Sequence, residues 1–312
     1  MTKAPDPFPE LELFAADGFS TEDVLIDKDG SALTGLEDGR IVRISEGAAP
    51  RTIGTTNGRP LGLEFLPDGR LLICDAERGV LAMNITNGDL EPLVTHHSGE
   101  RLNFCNNAAV ARDGTIYFST SHPTHSVDQA AQAVIENVPN GRLLRRQPDG
   151  AVDVLLDDLI FANGVALAQD ERFVLVAQTG RAQIDRFWLA GDKEGQREIF
   201  VQNMPGLPDN ISTGSNGLFW VGIAAANDAT VALVRRLPLF LRRMIAALPD
   251  AMRPKPQQTI EILAYDETGT CHHHFHGTNP GFHMATGVRE KDGHVWMGSL
   301  ERDCIARFKL PG

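Results

Sequence analysis

Four oxygen-bearing residues share one spacing along the chain. Glu22, Asn106, Asn163 and Asp209 each stand eight residues before the second residue of a turn dipeptide, at Gly30, Gly114, Glu171 and Gly217 respectively. If the segments are structural repeats, equal spacing means equal height, and the four side chains converge on one point. Two carboxylates and two amides at one depth supply hard oxygen ligands and two negative charges. That set suits Ca²⁺ or Mg²⁺ and lacks the thiolates and imidazoles that softer metals prefer. The same residue types also cap strands and make turns, but four in one register favour convergence. Asn107 and Asn210 adjoin two members of the set.

The elements that must position these residues are hairpins. β-branched and apolar runs follow polar turns at Asp29-Gly30, Asp68-Gly69, Asp113-Gly114, Asp170-Glu171, Asn216-Gly217 and Asp292-Gly293. Asp-Gly or Asn-Gly between such runs signals a hairpin, with type I′ geometry the expectation. The intervals between second turn residues are 39, 45, 57, 46 and 76. Propeller blades recur every ~40–45 residues, with loops absorbing the excess. The reading is an all-β, six-bladed β-propeller spanning 1–312 as one domain, in preference to a β-sandwich. One segment breaks the β pattern. Leu237, Leu241, Met244, Ile245 and Leu248 recur at helical spacing, Pro238 suits the first turn and Pro249 stops the run. A short amphipathic helix over 237–248 is therefore expected as an insertion between blades five and six. It reads as a lid over the tunnel with Arg235, Arg236, Arg242 and Arg243 facing solvent; membrane-surface attachment is the less favoured alternative.

Composition bounds the remaining possibilities. The chain has 312 residues, 42% of them hydrophobic, enough for a sizeable core. Its net charge of −12 argues against a nucleic-acid partner. Cys74, Cys105, Cys271 and Cys304 form no C-x-x-C pair or framework and read as reduced thiols. The first ten residues carry neither a basic n-region nor an apolar h-region, so a cytoplasmic protein is expected. No G-x-S-x-G, H-E-x-x-H, Walker A or dinucleotide fingerprint is present. Among the histidines, His272, His274 and His276 share one face of a strand, which reads as a solvated edge rather than a metal site. His283, ten residues before Gly293, lies near the register of the oxygen set, where substrate contact at the channel mouth and packing are equally open readings. His122 and His125 read as rim-loop residues, and Asp75 as a turn carboxylate.

The stretches GRPLGLEFLPDGRLLICDAERGVL, NGRLLRRQPDG, LIFANGVALAQDERFVLVAQTGRAQIDRFWL and MPGLPDNISTGSNGLFWVG resemble the strictosidine synthase-like branch of the six-bladed propellers. The likeness covers roughly residues 15 to 310 and extends, in site layout, to paraoxonase, gluconolactonase and diisopropyl-fluorophosphatase. It implies a catalytic divalent cation, usually calcium, in the central tunnel, and hydrolysis of a small-molecule lactone or ester. Its metal-ligand positions fall on Glu22, Asn106, Asn163 and Asp209, with Asn210 an additional candidate. Asp209 is the expected general base or nucleophile, and His283 the expected helper of the leaving group. Three positions depart from the pattern. Asn107 stands where many relatives have Asp, Leu61 where paraoxonases have a histidine, and Thr286 where plant strictosidine synthases carry a catalytic glutamate. Strictosidine-type condensation is therefore not expected. A phosphotriesterase-like hydrolase on the same metal and a non-catalytic binding propeller are the alternatives, and the oligomeric state stays open.

Overall fold

The computed structural model describes residues 3–226, 233–248 and 257–311. Six four-stranded antiparallel sheets follow one another along the chain. Their inner strands are Val24–Ile26, Pro60–Phe65, Cys105–Val110, Ala162–Leu167, Gly206–Thr213 and Ala285–Lys291, one for each of blades 1 to 6. Each inner strand packs beside those of the adjacent blades, which makes a ring around a central tunnel. The ring closes because the N-terminal strand Glu12–Ala15 pairs with Cys304–Lys309 as the outer strand of blade 6, Phe14 opposite Ile305. The two ends of the chain are thus stitched into one sheet, which removes an exposed edge.

All six expected turns join the first two strands of a blade, but five differ from the expected geometry. Only Asp292-Gly293 is a two-residue hairpin loop with both residues at positive φ, 51° and 78°. In the others only the second residue is left-handed. Gly30, for example, has φ of 83° and donates its N–H to Asp27 at 3.1 Å. The preceding acid is selected for another reason. Asp29 Oδ1 accepts the Ser31 N–H at 2.9 Å, and Asp68, Asp113, Asp170 and Asn216 make the same bond two residues ahead.

The core lies between blades, not within any one sheet. Strand alternation sends Phe219 and Val221 toward blade 4 and Trp220 toward blade 6, and each packs in a separate cluster of fully buried side chains. Equivalent clusters fill the remaining interfaces.

Helical insertions sit outside this pattern. Helix α1 (Ala130–Glu136) lies in a blade 3 insertion, and α2 (Leu239–Ala246) lies between the second and third strands of blade 5 rather than between blades five and six. The two pack against each other. Arg242 donates to the carbonyls of Glu136 and Asn137 at the C-terminus of α1, where cations are favoured. Consequently the arginines do not all face solvent: Arg235 and Arg242 are half-buried. Nor does the whole expected apolar stripe point inward. Leu241 and Ile245 are half-buried and Ala246 is buried, whereas Met244 and Phe240 are turned outward. No helix among the described residues is long and apolar enough to cross a membrane.

Candidate functional site

A repeated irregularity builds the site. In blades 2 to 6 the pairing of the inner strand skips two residues, a β-bulge at the same place each time. The skipped pairs are Leu61-Gly62, Asn106-Asn107, Asn163-Gly164, Asp209-Asn210 and Thr286-Gly287. In blade 1 the equivalent pair, Glu22-Asp23, immediately precedes Val24. Bulges re-aim side chains, and here they define two rings of positions around the tunnel.

The first ring reads Glu22, Leu61, Asn106, Asn163, Asp209 and Thr286, and all six residues are buried. Among the described residues Glu22 Oε2, Asn106 Oδ1, Asn163 Oδ1 and Asp209 Oδ1 are buried without a hydrogen-bond partner. An unsatisfied buried acceptor costs about 1–3 kcal/mol, so four together need a collective explanation. The orientation of the amides is forced. Ser121 Oγ donates to the Ala162 carbonyl at 2.7 Å, so it accepts from Asn106 Nδ2 at 2.9 Å. Thr179 Oγ1 likewise donates to Pro208 at 2.7 Å and accepts from Asn163 Nδ2 at 3.2 Å. Each carboxamide is anchored by its nitrogen and keeps its oxygen free.

Electrostatics at the ring point the same way. Burial, and then the negative charge of Asp209, push the Glu22 carboxyl up to about 8. Burial also raises Asp209, to about 7, although the adjacent Asn163 carboxamide works in the opposite direction. Two desolvated carboxylates near one another want a cation. No group of three or more His, Cys, Asp or Glu among the described residues could hold a metal, so the candidate donor set depends on its amide oxygens. Its hard, neutral-plus-anionic character fits Ca²⁺ or Mg²⁺.

The second ring alternates polar residues with glycine: Asp23, Gly62, Asn107, Gly164, Asn210 and Gly287. The polar members reach toward the next blade. Asp23 Oδ2 accepts the Leu63 N–H and Asn107 Oδ1 the Val165 N–H, both at 2.9 Å. Asn210 occupies the third such position, buried, with Oδ1 and Nδ2 both unpartnered. The glycines admit the neighbouring backbone; a Cβ on Gly164 would lie 2.2 Å from Ile211 N. Asp23 also has a cation close by. The half-buried Arg289 guanidinium pairs with Glu64 at 2.8 Å, donates to the Leu63 carbonyl at 3.0 Å and lies 3.9 Å from Asp23.

Two residues above the first ring, the backbone is left-handed at Ser20, Phe104, Phe161 and Met284, with φ between 51° and 63°. Such strain in non-glycine residues accompanies functional sites. Phe104 and Phe161 meet edge to face at 5.4 Å and pack with Leu61 and with Ala133 of α1, forming an apolar wall under the blade 3 insertion. Beside this wall, Arg59 Nη2 donates to Ser20 Oγ at 2.5 Å. His283 is buried three residues before Thr286, with Nδ1 unpartnered and the Glu301 carboxylate 3.9 Å away. Burial, then Arg302, lower its affinity for a proton, with Glu301 working the other way.

The other sequence candidates have structural partners. Thr286 Oγ1 donates to the Glu22 carbonyl at 2.6 Å, bracing that residue from blade 6. Asp75 Oδ1 accepts the N–H groups of Arg59, Glu77 and Arg78. His272 pairs with Asp266, while His274 bridges Glu261 and the Lys3 carbonyl. His122 is buried, its ring bonded to the backbone of Thr124 and His125 and to Asn140. The four cysteines are free, three of them buried. Ser20, Arg59 and Arg289 were not singled out by the turn-based spacing. Extending the register two residues upstream from Glu22 and Leu61 would have found the first two.

Fold and ring together define a six-bladed propeller with a buried polar girdle across its tunnel. The chain belongs to the SMP-30/gluconolactonase/LRE-like family, whose model matches residues 21–235 and so takes in Glu22, Asn106, Asn163 and Asp209. It is 33% identical to the adipocyte plasma membrane-associated protein of Rattus norvegicus over 304 residues, covering 89% of this chain and 80% of that one. Strictosidine synthase-like 6 of Arabidopsis thaliana is 29% identical, with 93% and 79% covered. Among solved structures, a gluconolactonase from Xanthomonas campestris superposes with a TM-score of 0.71 at 18% identity, covering 96% of this chain and 89% of that one. A calcium-binding protein, regucalcin, from Agrobacterium tumefaciens gives 0.65 at 12% identity, with 96% and 94% covered. These two likenesses concern the fold.

Proposed function

We propose that the protein is a Ca²⁺-dependent hydrolase of a lactone or carboxylic ester, with Glu22, Asn106, Asn163 and Asp209 holding the cation and Asn210 beside them as a further donor. The observation that carries this reading is the set of four buried, unpartnered oxygens, two of them on carboxylates, at one height in the tunnel. Membership of a gluconolactonase-like family and the regucalcin-like fold support it. A divalent cation bound there would polarise the substrate carbonyl and stabilise the developing oxyanion.

The remaining roles belong to the chain. Asp209 accepts the proton of the attacking water, a task suited to a carboxylate whose proton affinity burial has raised. Glu22 supplies the second negative charge of the site once the cation is bound. Asn106 and Asn163, locked by Ser121 and Thr179, keep their oxygens aimed without reorganisation. The proton that Asp209 takes from the water goes on to the leaving alkoxide, and His283 is the group that hands it over. Leu61, Phe104 and Phe161 exclude water from one side. The test is turnover of a panel of lactones, aryl esters and aryl phosphotriesters, before and after chelation and after Ca²⁺ is returned. Lactone or ester hydrolysis that disappears with chelator and comes back with Ca²⁺ is expected. Faster phosphotriester turnover, or none on any substrate, would overturn the reading.

A further inference from the structure

Arg59 is a guanidinium without a salt-bridge partner among the described residues; Glu22, in the ring beneath, feels its charge only from beyond that distance. The arginine is 8% exposed, and its Nη1 is buried with no hydrogen-bond partner. Among the described residues its one side-chain bond runs to Ser20 Oγ at 2.5 Å. Ser20 and Arg59 stand two residues above Glu22 and Leu61 in adjacent blades, so both occupy the layer directly over the ring. The loop is fixed from below, because Asp75 accepts the Arg59 N–H at 3.1 Å. A buried, unpaired charge is costly, and a pre-positioned arginine is suited to a planar anion.

We propose that Arg59, oriented by Ser20, binds a carboxylate carried by the substrate, while the Leu61–Phe104–Phe161 wall receives its apolar body. The inference rests on the hydrolase reading and deepens it, from lactones and esters in general to acid-bearing ones. Charge supports it: with a divalent cation bound, the ionised Glu22 and Asp209 and the Arg59 guanidinium sum to a net positive site, which attracts a monoanion.

Binding of cyclohexanecarboxylate, cyclohexanecarboxamide and cyclohexylphosphonate to the Ca²⁺-loaded protein, measured by calorimetry, tests this without turnover. The carboxylate should bind at least 10-fold more tightly than the amide, and Arg59→Met should abolish that preference. Arg59→Lys should restore part of it, and unchanged melting curves would show that both variants are folded. In kinetics, Arg59→Met should raise KM 10- to 100-fold for γ-butyrolactone-γ-carboxylate and change γ-butyrolactone little, in line with the worth of a charge-assisted hydrogen bond. Preference for the phosphonate, or an Arg59→Met variant that keeps the carboxylate preference, would overturn the proposal. Loss of the hydrolase reading looks different: carboxylate binding through Arg59 would persist while no lactone is turned over.

Discussion

Asp209 and Asn163 contribute similar oxygens to the ring but differ in charge, and that difference separates their roles. Asp209→Asn keeps size and an oxygen yet cannot accept a proton; its rate should fall about 10²–10⁴-fold and stay low at saturating Ca²⁺. Asn163→Ala removes a neutral donor, so its rate should recover largely as Ca²⁺ is raised. Equal recovery in a Ca²⁺ titration of both variants would reduce Asp209 to a ligand. Arg289 gives a second residue-scale prediction. Its guanidinium sits between Glu64 and the buried Asp23, so Arg289→Met should destabilise the fold by about 3–5 kcal/mol in urea denaturation. A loss below 1 kcal/mol would show that Asp23 is satisfied by the backbone alone. The ring residues were legible in the sequence because a bulge repeats at a fixed distance from a turn. Arg289 was not, since its partners lie 225 and more positions away along the chain.

At the scale of elements, the sequence showed the hairpins and the helix but misjudged their details. The turn dipeptides suggest two left-handed residues, whereas five of the six turns need only one and use the preceding Asp, or in one case Asn216, to hold a backbone N–H. The 237–248 periodicity found α2 but not its facing, because α1 decides which side is covered, and seven residues within an insertion are too short to declare themselves. Since α2 rests on α1, and α1 closes over the apolar wall, Leu241→Ser should shift KM or substrate range while the bound Ca²⁺ is kept. Kinetics unchanged alongside lost binding to anionic vesicles would instead make α2 a membrane element. The bond between His274 and the Lys3 carbonyl provides a pH test. His274, bonded to Glu261 at 2.8 Å and to Lys3 at 2.6 Å, holds its proton more tightly when folded because those partners outweigh its burial. Its stabilisation is therefore fully present below the ordinary histidine value near 6.5 and lost as pH rises through the elevated folded value. The stability gap between wild type and His274→Gln should be wider at pH 5.5 than at pH 8.5 in parallel denaturant titrations. An identical gap would mean that the proton contributes nothing.

Across the whole molecule, six sheets meet at a tunnel where the inter-blade apolar clusters give way to polar groups, and four blades send an unpartnered oxygen to one level. The propeller architecture was readable from repeat spacing, yet the closure of blade 6 by Glu12–Ala15 was not, because that strand lies nearly 300 residues from its partner and carries no turn signal. A cation at the ring would tie blades 1, 3, 4 and 5 together and relieve the repulsion between Glu22 and Asp209. Binding at 100 times the dissociation constant stabilises by about 2.7 kcal/mol. The most direct measurement is therefore a Ca²⁺ titration of chelator-treated protein, following heat and melting temperature together, for wild type, Glu22→Gln and Asp209→Asn. The account predicts about one equivalent bound by wild type with a rise in melting temperature, and much weaker binding in both variants. Absence of Ca²⁺ binding in the wild type, or binding undiminished in both variants, would contradict it.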